Sequence, residues 1–176
     1  REGAVLVASS DITSNTASVS LTGIFDPEVM YFIHVMDFRP NNNQRSMQYR
    51  WLDDSGAISI TNYHEGGRYG YSGGGGSTGN SYAANRSAYV NLVGGVGNAS
   101  DESFNAEIVL YDPSNAAFHK NVSFQGSYFD HASLPNFLLG AGSNTGSVAA
   151  VTGIKFQFAS GNILEGSFTM YGMAKA

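Results

Sequence analysis

A chain of 176 residues with a formal charge of −5 is long enough to bury one ordinary core and too short to bury two, so a single domain over residues 1–176 is expected. Glycine, serine, asparagine and aromatic residues are abundant, only 13% of the residues are charged, and the lysine, leucine and glutamate that build helices are scarce, which excludes a helical bundle and predicts an all-β fold. Cysteine is absent, which excludes a disulfide framework and any thiolate metal site.

Short apolar or alternating runs recur along the chain with turn residues between them. "AVLVAS" (Ala4 to Ser9) and "ASVSLTG" (Ala17 to Gly23) open the series. "VMYFIHVMDF" (Val29 to Phe38) is apolar in both registers and reads as a strand buried on both faces in the middle of a sandwich. In "SMQYRWL" (Ser46 to Leu52) Met47, Tyr49 and Trp51 share one side, and "DDSG" turns the chain into "AISITNY", where Ile58 and Ile60 share a face. From His64 to Asn85 the period is lost in "HEGGRYGYSGGGGSTGNSYAAN", so a long glycine-rich loop is expected over about 64–85.

Strands resume at Ser87 to Leu92 and at Phe104 to Asp112; "DPSN" (Asp112 to Asn115) then predicts a tight turn into Phe118 to Phe129. After "NFLLGAG" the chain finishes on two amphipathic runs. Ile154, Phe156 and Phe158 share a face in the first, Phe168 and Met170 in the second, and "SGN" between them suggests a closing hairpin. Roughly eight to ten strands with turns every 8–12 residues predict an antiparallel β-sandwich of jelly-roll type.

The chemistry-bearing residues are few. Among the four histidines, His34 falls in the most apolar run and is expected to be a core or interface residue. His64 and Glu65 open the glycine segment, and Asp130 with His131 lies far along the chain; a small hydrolase would require all four to converge in one pocket. The carboxylate pairs Asp53–Asp54 and Asp101–Glu102 sit in turns, where adjacent side chains diverge and no acid/base dyad forms. No metal-ligand spacing, phosphate loop or nucleophile motif is present, so no catalytic residue, metal or cofactor is expected. Tyrosines interleaved with glycine, serine and asparagine give rigid aromatic area beside adaptable polar groups, which makes Arg68, Tyr69, Tyr71 and Tyr82 the candidate binding residues, with a host-surface glycan as their ligand.

The acidic balance and six scattered arginines argue against a surface that tracks phosphate backbones, so no nucleic-acid partner is expected. No apolar run approaches the roughly 20 residues that span a bilayer, and the segment behind Arg1 lacks a signal-peptide core, so membrane insertion is not expected. Opening on Arg1 instead of methionine is expected of a chain processed or cut from something longer.

"GIKFQFASGNILEGSFTMYGM" (Gly153 to Met173) resembles the C-terminal signature of a family of tailed-bacteriophage virion proteins: an alternating strand, "SGNI", a short spacer and a "GSF-x-x-YG" strand. "YFIHVMDFRPNNNQRSMQYRWLDDSG" (Tyr31 to Gly56) and "AEIVLYDPSNAAFHKNVSFQGSY" (Ala106 to Tyr128) resemble two further segments of that family, in the same order. The resemblance implies a non-enzymatic structural component of the virion exterior: a tail fibre, a tail appendage or a capsid decoration protein. Its partners would be other virion proteins and identical subunits, with a homotrimer expected from the need to protect sheet edges by symmetric association. The alternative from another class is a carbohydrate-binding module of a secreted enzyme, which would be a monomer.

Overall fold

The computed structural model describes residues 3–54, 62–71, 77–86 and 89–174, with the backbone alone at 71, 77, 78 and 80–86. The protein is all-β, with two antiparallel sheets packed as a sandwich. The larger holds eight strands in the order β1 (Val5–Ile12), β12 (Ile163–Ala174), β3 (Val29–Pro40), β8 (Phe104–Tyr111), β9 (Asn121–Phe129), β10 (Pro135–Asn144), β5 (Tyr63–Tyr71) and β6 (Ser77–Arg86). The smaller holds four, β2 (Val19–Thr22), β11 (Gly153–Phe158), β4 (Arg45–Leu52) and β7 (Val90–Val96).

Removing the hairpins β5–β6 and β9–β10 leaves eight strands whose chain order passes back and forth between the sheets, with only the consecutive β4 and β7 in the same one. Numbered in sequence, they lie first-eighth-third-sixth in one sheet and second-seventh-fourth-fifth in the other. That interleaving is the jelly roll. The two inserted hairpins both add to the free edge of β8, giving β8-β9-β10-β5-β6. The large sheet therefore extends beyond β7, the edge of the small sheet, as a four-stranded wing.

The core is aromatic. Tyr31, Phe38, Tyr49, Trp51, Phe104, Phe156 and Phe168 are fully buried, and burying each such ring contributes about 1.5–3 kcal/mol before entropy. Tyr49 and Trp51 meet edge to face at 5.7 Å, and Phe156 meets Phe168 in the same way at 5.5 Å. The buried Lys120 is held by its own ammonium group, which donates to the carbonyls of Asn115, Phe118 and Val148; burial lowers its pKa, and Asp112 partly offsets that. The turn expected at Asp112 to Asn115 is present, with the Asn115 N–H donating to the Asp112 carbonyl at 3.1 Å and β8 and β9 paired on either side.

Four expectations need correction. First, twelve strands stand among the described residues where eight to ten were expected. The excess comes mainly from the glycine segment, where residues 63–71 and 77–86 are the paired strands β5 and β6, not a loop. A glycine strand lacks the side chains that make a period visible, but its N–H and C=O groups pair like any other. The missing side-chain volume is supplied from next door: Phe124 covers Gly140, Phe137 covers Gly70, and Tyr69 covers Gly79, each across a ladder pair.

Second, the two terminal runs are not a hairpin. β11 belongs to the small sheet and β12 to the large one, so Ser160 to Asn162 forms an arch between the layers. Gly161, at φ 80°, makes the bend, and Asn41 fixes it from the side, its N–H donating to the Asn162 carbonyl and its side chain accepting from the Asn162 N–H, both at 2.9 Å. The apolar faces are as expected, but they close on each other through Phe156 and Phe168 instead of covering one face together.

Third, β3 is buried on one face only. Tyr31, Ile33, Val35 and Phe38 point into the core, whereas Phe32 is half-buried and His34 and Met36 are exposed. His34 is therefore not a core residue; its ring lies 5.8 Å from that of Tyr171 on the outer face. Fourth, the strand expected from Ser87 starts at Val90 among the described residues, with Tyr89 outside it; residues 87 and 88 lie outside the described residues. The run containing Ile58 and Ile60 lies outside the described residues.

Candidate functional site

The wing and the small sheet do not close fully on one another. A cleft of about 290 Å³ opens between β7 and the inner face of β9, β10 and β5. Its walls carry the side chains of Tyr69, Phe124, Tyr128 and Leu138 from the wing, and it is bounded opposite by Asn91, Leu92, Val93 and Gly94 of β7. Tyr69, 39% exposed, stands at the rim, whereas Phe124, Tyr128 and Leu138 are buried.

Glycines shape this space. A Cβ on Gly140 would fall 2.4 Å from the Phe124 ring, and one on Gly142 would fall 2.7 Å from the Tyr49 hydroxyl. At Gly67 it would meet the Leu139 carbonyl at 2.8 Å. Side chains at these positions would fill the contact zone between wing and core, so the flat floor depends on their absence.

Glu65 ties the wing to the small sheet. It is buried, and its carboxylate accepts from the backbone N–H of Asn91 at 2.5 Å and from the Asn91 side-chain amide at 3.1 Å. Asn91 in turn accepts from the Gln48 amide at 3.0 Å. The edge strand β7 thus gives a backbone donor to a side chain instead of to a foreign strand, one of the ways in which native sheets blunt an edge. At the base of the wing the backbone N–H of Trp51 donates to the Tyr63 hydroxyl at 3.1 Å, and burial pushes the Tyr63 pKa up to about 12. Burial also drives the Tyr49 phenol well above its ordinary range, with Tyr63 and Glu65 adding to the effect.

Chiefly through burial, the Tyr128 pKa is raised to about 12, with further contributions from Asp130 and Tyr69. This phenol is therefore a neutral hydroxyl throughout the physiological range. Burial acts to raise the pKa of Asp130 itself, but the N–H groups of Leu134 and Ala132, the Asn136 amide and His131 outweigh it and hold the carboxyl below its usual value.

The chain matches no known family model and is similar in sequence to no curated protein.

Of the four residues singled out by composition, Arg68, Tyr69 and Tyr71 lie on β5 and Tyr82 lies on β6 opposite Gly66. Tyr69 lines the cleft; Arg68 borders it through the backbone while its alternate position on the strand sends its side chain to the outer face. The side chains of Tyr71 and Tyr82 lie outside the described residues. Phe124, Tyr128 and Leu138 escaped the sequence reading because they look like ordinary strand residues; only the inserted wing makes them walls of a cleft.

His64, Glu65, Asp130 and His131 do not converge. His64 and Glu65 alternate to opposite faces of β5, and the His64 ring meets the Thr145 hydroxyl at 2.9 Å. Glu65 pairs with Gly142, while Phe129, next to Asp130, pairs with Pro135. The seven-residue separation along β10 is roughly 23 Å at ~3.3 Å per residue. Among the described residues no group of three or more His, Asp or Glu side chains could hold a metal ion.

Proposed function

We propose that this protein is a non-enzymatic structural component on the exterior of a bacteriophage virion, a jelly-roll block that associates with identical copies, as a trimer, through the outer face of its large sheet. The observation that carries the reading is the chemistry of that face. One side of an antiparallel sheet facing water is ordinarily polar, yet here Met36 (45% exposed), Phe137 (51%) and Leu139 (56%) stand outward with Tyr111 and Phe129. Exposed apolar area spread over neighbouring strands marks an interaction surface. Jelly-roll wiring, which recurs in viral capsid proteins, and the three ordered segments that resemble tailed-phage virion proteins support the particle itself as the setting.

Light scattering over a dilution series tests the assembly: a stable trimer is expected, and a monomer at every concentration overturns it. An antibody against the folded chain tests the location, since it is expected to decorate the outside of purified particles. The second reading, a carbohydrate-binding module of a secreted enzyme, is favoured by the cleft beside β7 and requires a monomer.

A further inference from the structure

We propose that the cleft between β7 and the wing is a binding site for one neutral sugar ring. The inference gives a place in the fold to the host-surface glycan expected from the tyrosines of the glycine segment, and it does not depend on the state of assembly.

Size comes first. About 290 Å³ lies at the lower end of the roughly 300–1,000 Å³ of small-molecule sites, enough for a single ring and too little for an oligomer laid along the groove. The walls then select the chemistry. A sugar ring presents a C–H face and a rim of hydroxyls. Tyr69 at the mouth and Phe124 and Leu138 inside give apolar surface for the first. For the second, the Tyr128 hydroxyl is both donor and acceptor, and among the described residues it has no hydrogen-bond partner. A lipid chain would leave that hydroxyl unpaired at a cost of about 1–3 kcal/mol.

Charge excludes the acidic ligands. Glu65 lines the cleft, while Arg68, which borders it through the backbone, directs its side chain to the other face of β5. A phosphate or a sugar acid would enter against the Glu65 carboxylate on a chain of net charge −5. Because Tyr69, Phe124, Tyr128 and Leu138 all stand on paired strands, the site is formed before the ligand arrives, which lowers the ordering cost of binding.

Saturation-transfer NMR on the whole chain, with free glucose, galactose, mannose and N-acetylglucosamine as probes and sialic acid as the anionic comparison, tests the site. At least one neutral sugar is expected to bind with millimolar affinity, and sialic acid is expected to give no transfer. Tyr69→Ala is expected to weaken the binding about tenfold, and Tyr128→Phe, which keeps the ring and removes only the hydroxyl, by about fivefold. The outer-face variant Met36→Lys should bind as the parent does. Failure of all four neutral sugars, equal binding by both tyrosine variants, or sialic acid binding as well as the neutral sugars overturns the proposal. Light scattering on the same samples separates the two readings: a monomer that binds sugar removes the assembly and keeps this site, and a trimer that binds none does the reverse.

Discussion

The jelly-roll body and the wing are both antiparallel β-structure, but they are held together by different means. In the body, large side chains from two sheets interdigitate, as with Phe156 against Phe168 and Tyr49 against Trp51. In the wing, one sheet continues without a second sheet over much of its width, and rings from one strand lie on glycines of the next. The body owes its stability to buried volume, whereas the wing depends on backbone pairing and on a few clamps such as Glu65 to Asn91. A sandwich can thus carry a broad extension with little core of its own, provided that its edges are tied down.

The largest effect should come from breaking the body. Phe156→Ala removes a ring that is 1% exposed and wedged between the sheets; a loss of about 3–5 kcal/mol is expected. Urea unfolding followed by tryptophan fluorescence, which reports Trp51, checks it, and a loss under about 1 kcal/mol would mean that the two sheets do not depend on this contact.

The junction between body and wing should respond to alkali. Tyr63 has its pKa raised from 10.0 to about 12, chiefly by burial. The unfolded chain therefore gives up this proton first, so the contribution is fully present below pH 10 and is lost as pH rises towards 12, with a total of roughly 2–3 kcal/mol. Tyr63→Phe should begin about 1 kcal/mol less stable because the backbone N–H of Trp51 loses its acceptor. Its stability should then fall less steeply than the parent's across the same interval, and parallel curves would show that Tyr63 does not control it.

A smaller and more local effect is expected in the wing. Gly140→Ala places a methyl group 2.4 Å from the Phe124 ring and 3.0 Å from the Gly66 carbonyl, an overpacking that costs about 1–3 kcal/mol. Because the wing is tied to the body by few contacts, hydrogen exchange should accelerate in β5, β9 and β10 before it does in β3 or β12. Uniform acceleration over the whole chain would show that wing and body unfold as one unit.

This contrast also explains what could be read from the sequence. Alternation exposed the body, because Ile154, Phe156, Phe158, Phe168 and Met170 each declare a face. It did not expose the partner of each strand, so the arch at Ser160 to Asn162 read as a hairpin: turn residues serve a link within a sheet and a link between sheets alike. In the wing the signal was missing at its source. Gly66, Gly67, Gly70 and Gly79 have no side chain to alternate, and the ring that covers Gly70, Phe137, sits on a strand remote in sequence. The cleft was half legible for the same reason, with Tyr69 visible as a tyrosine among glycines and Tyr128 hidden in an ordinary strand.

The outer face of the large sheet is where the body itself departs from its own rule. β3 carries Phe32 and Met36 outward as well as Ile33 and Val35 inward, which is why its sequence reads as buried on both sides. Met36→Lys changes only the outer side. In an isolated chain the substituted residue lies at the surface and far from the rings of the core, so unfolding stability should stay within about ±0.5 kcal/mol of the parent. If identical copies meet on this face, the added charge must be buried without a partner at each contact, a cost of several kcal/mol, and the assembly should dissociate at concentrations where the parent remains whole. Light scattering beside a urea curve distinguishes the outcomes. Lost assembly with unchanged stability assigns the second apolar face of β3 to neighbouring copies; unchanged assembly removes this face from the contact, even if the chain is a trimer.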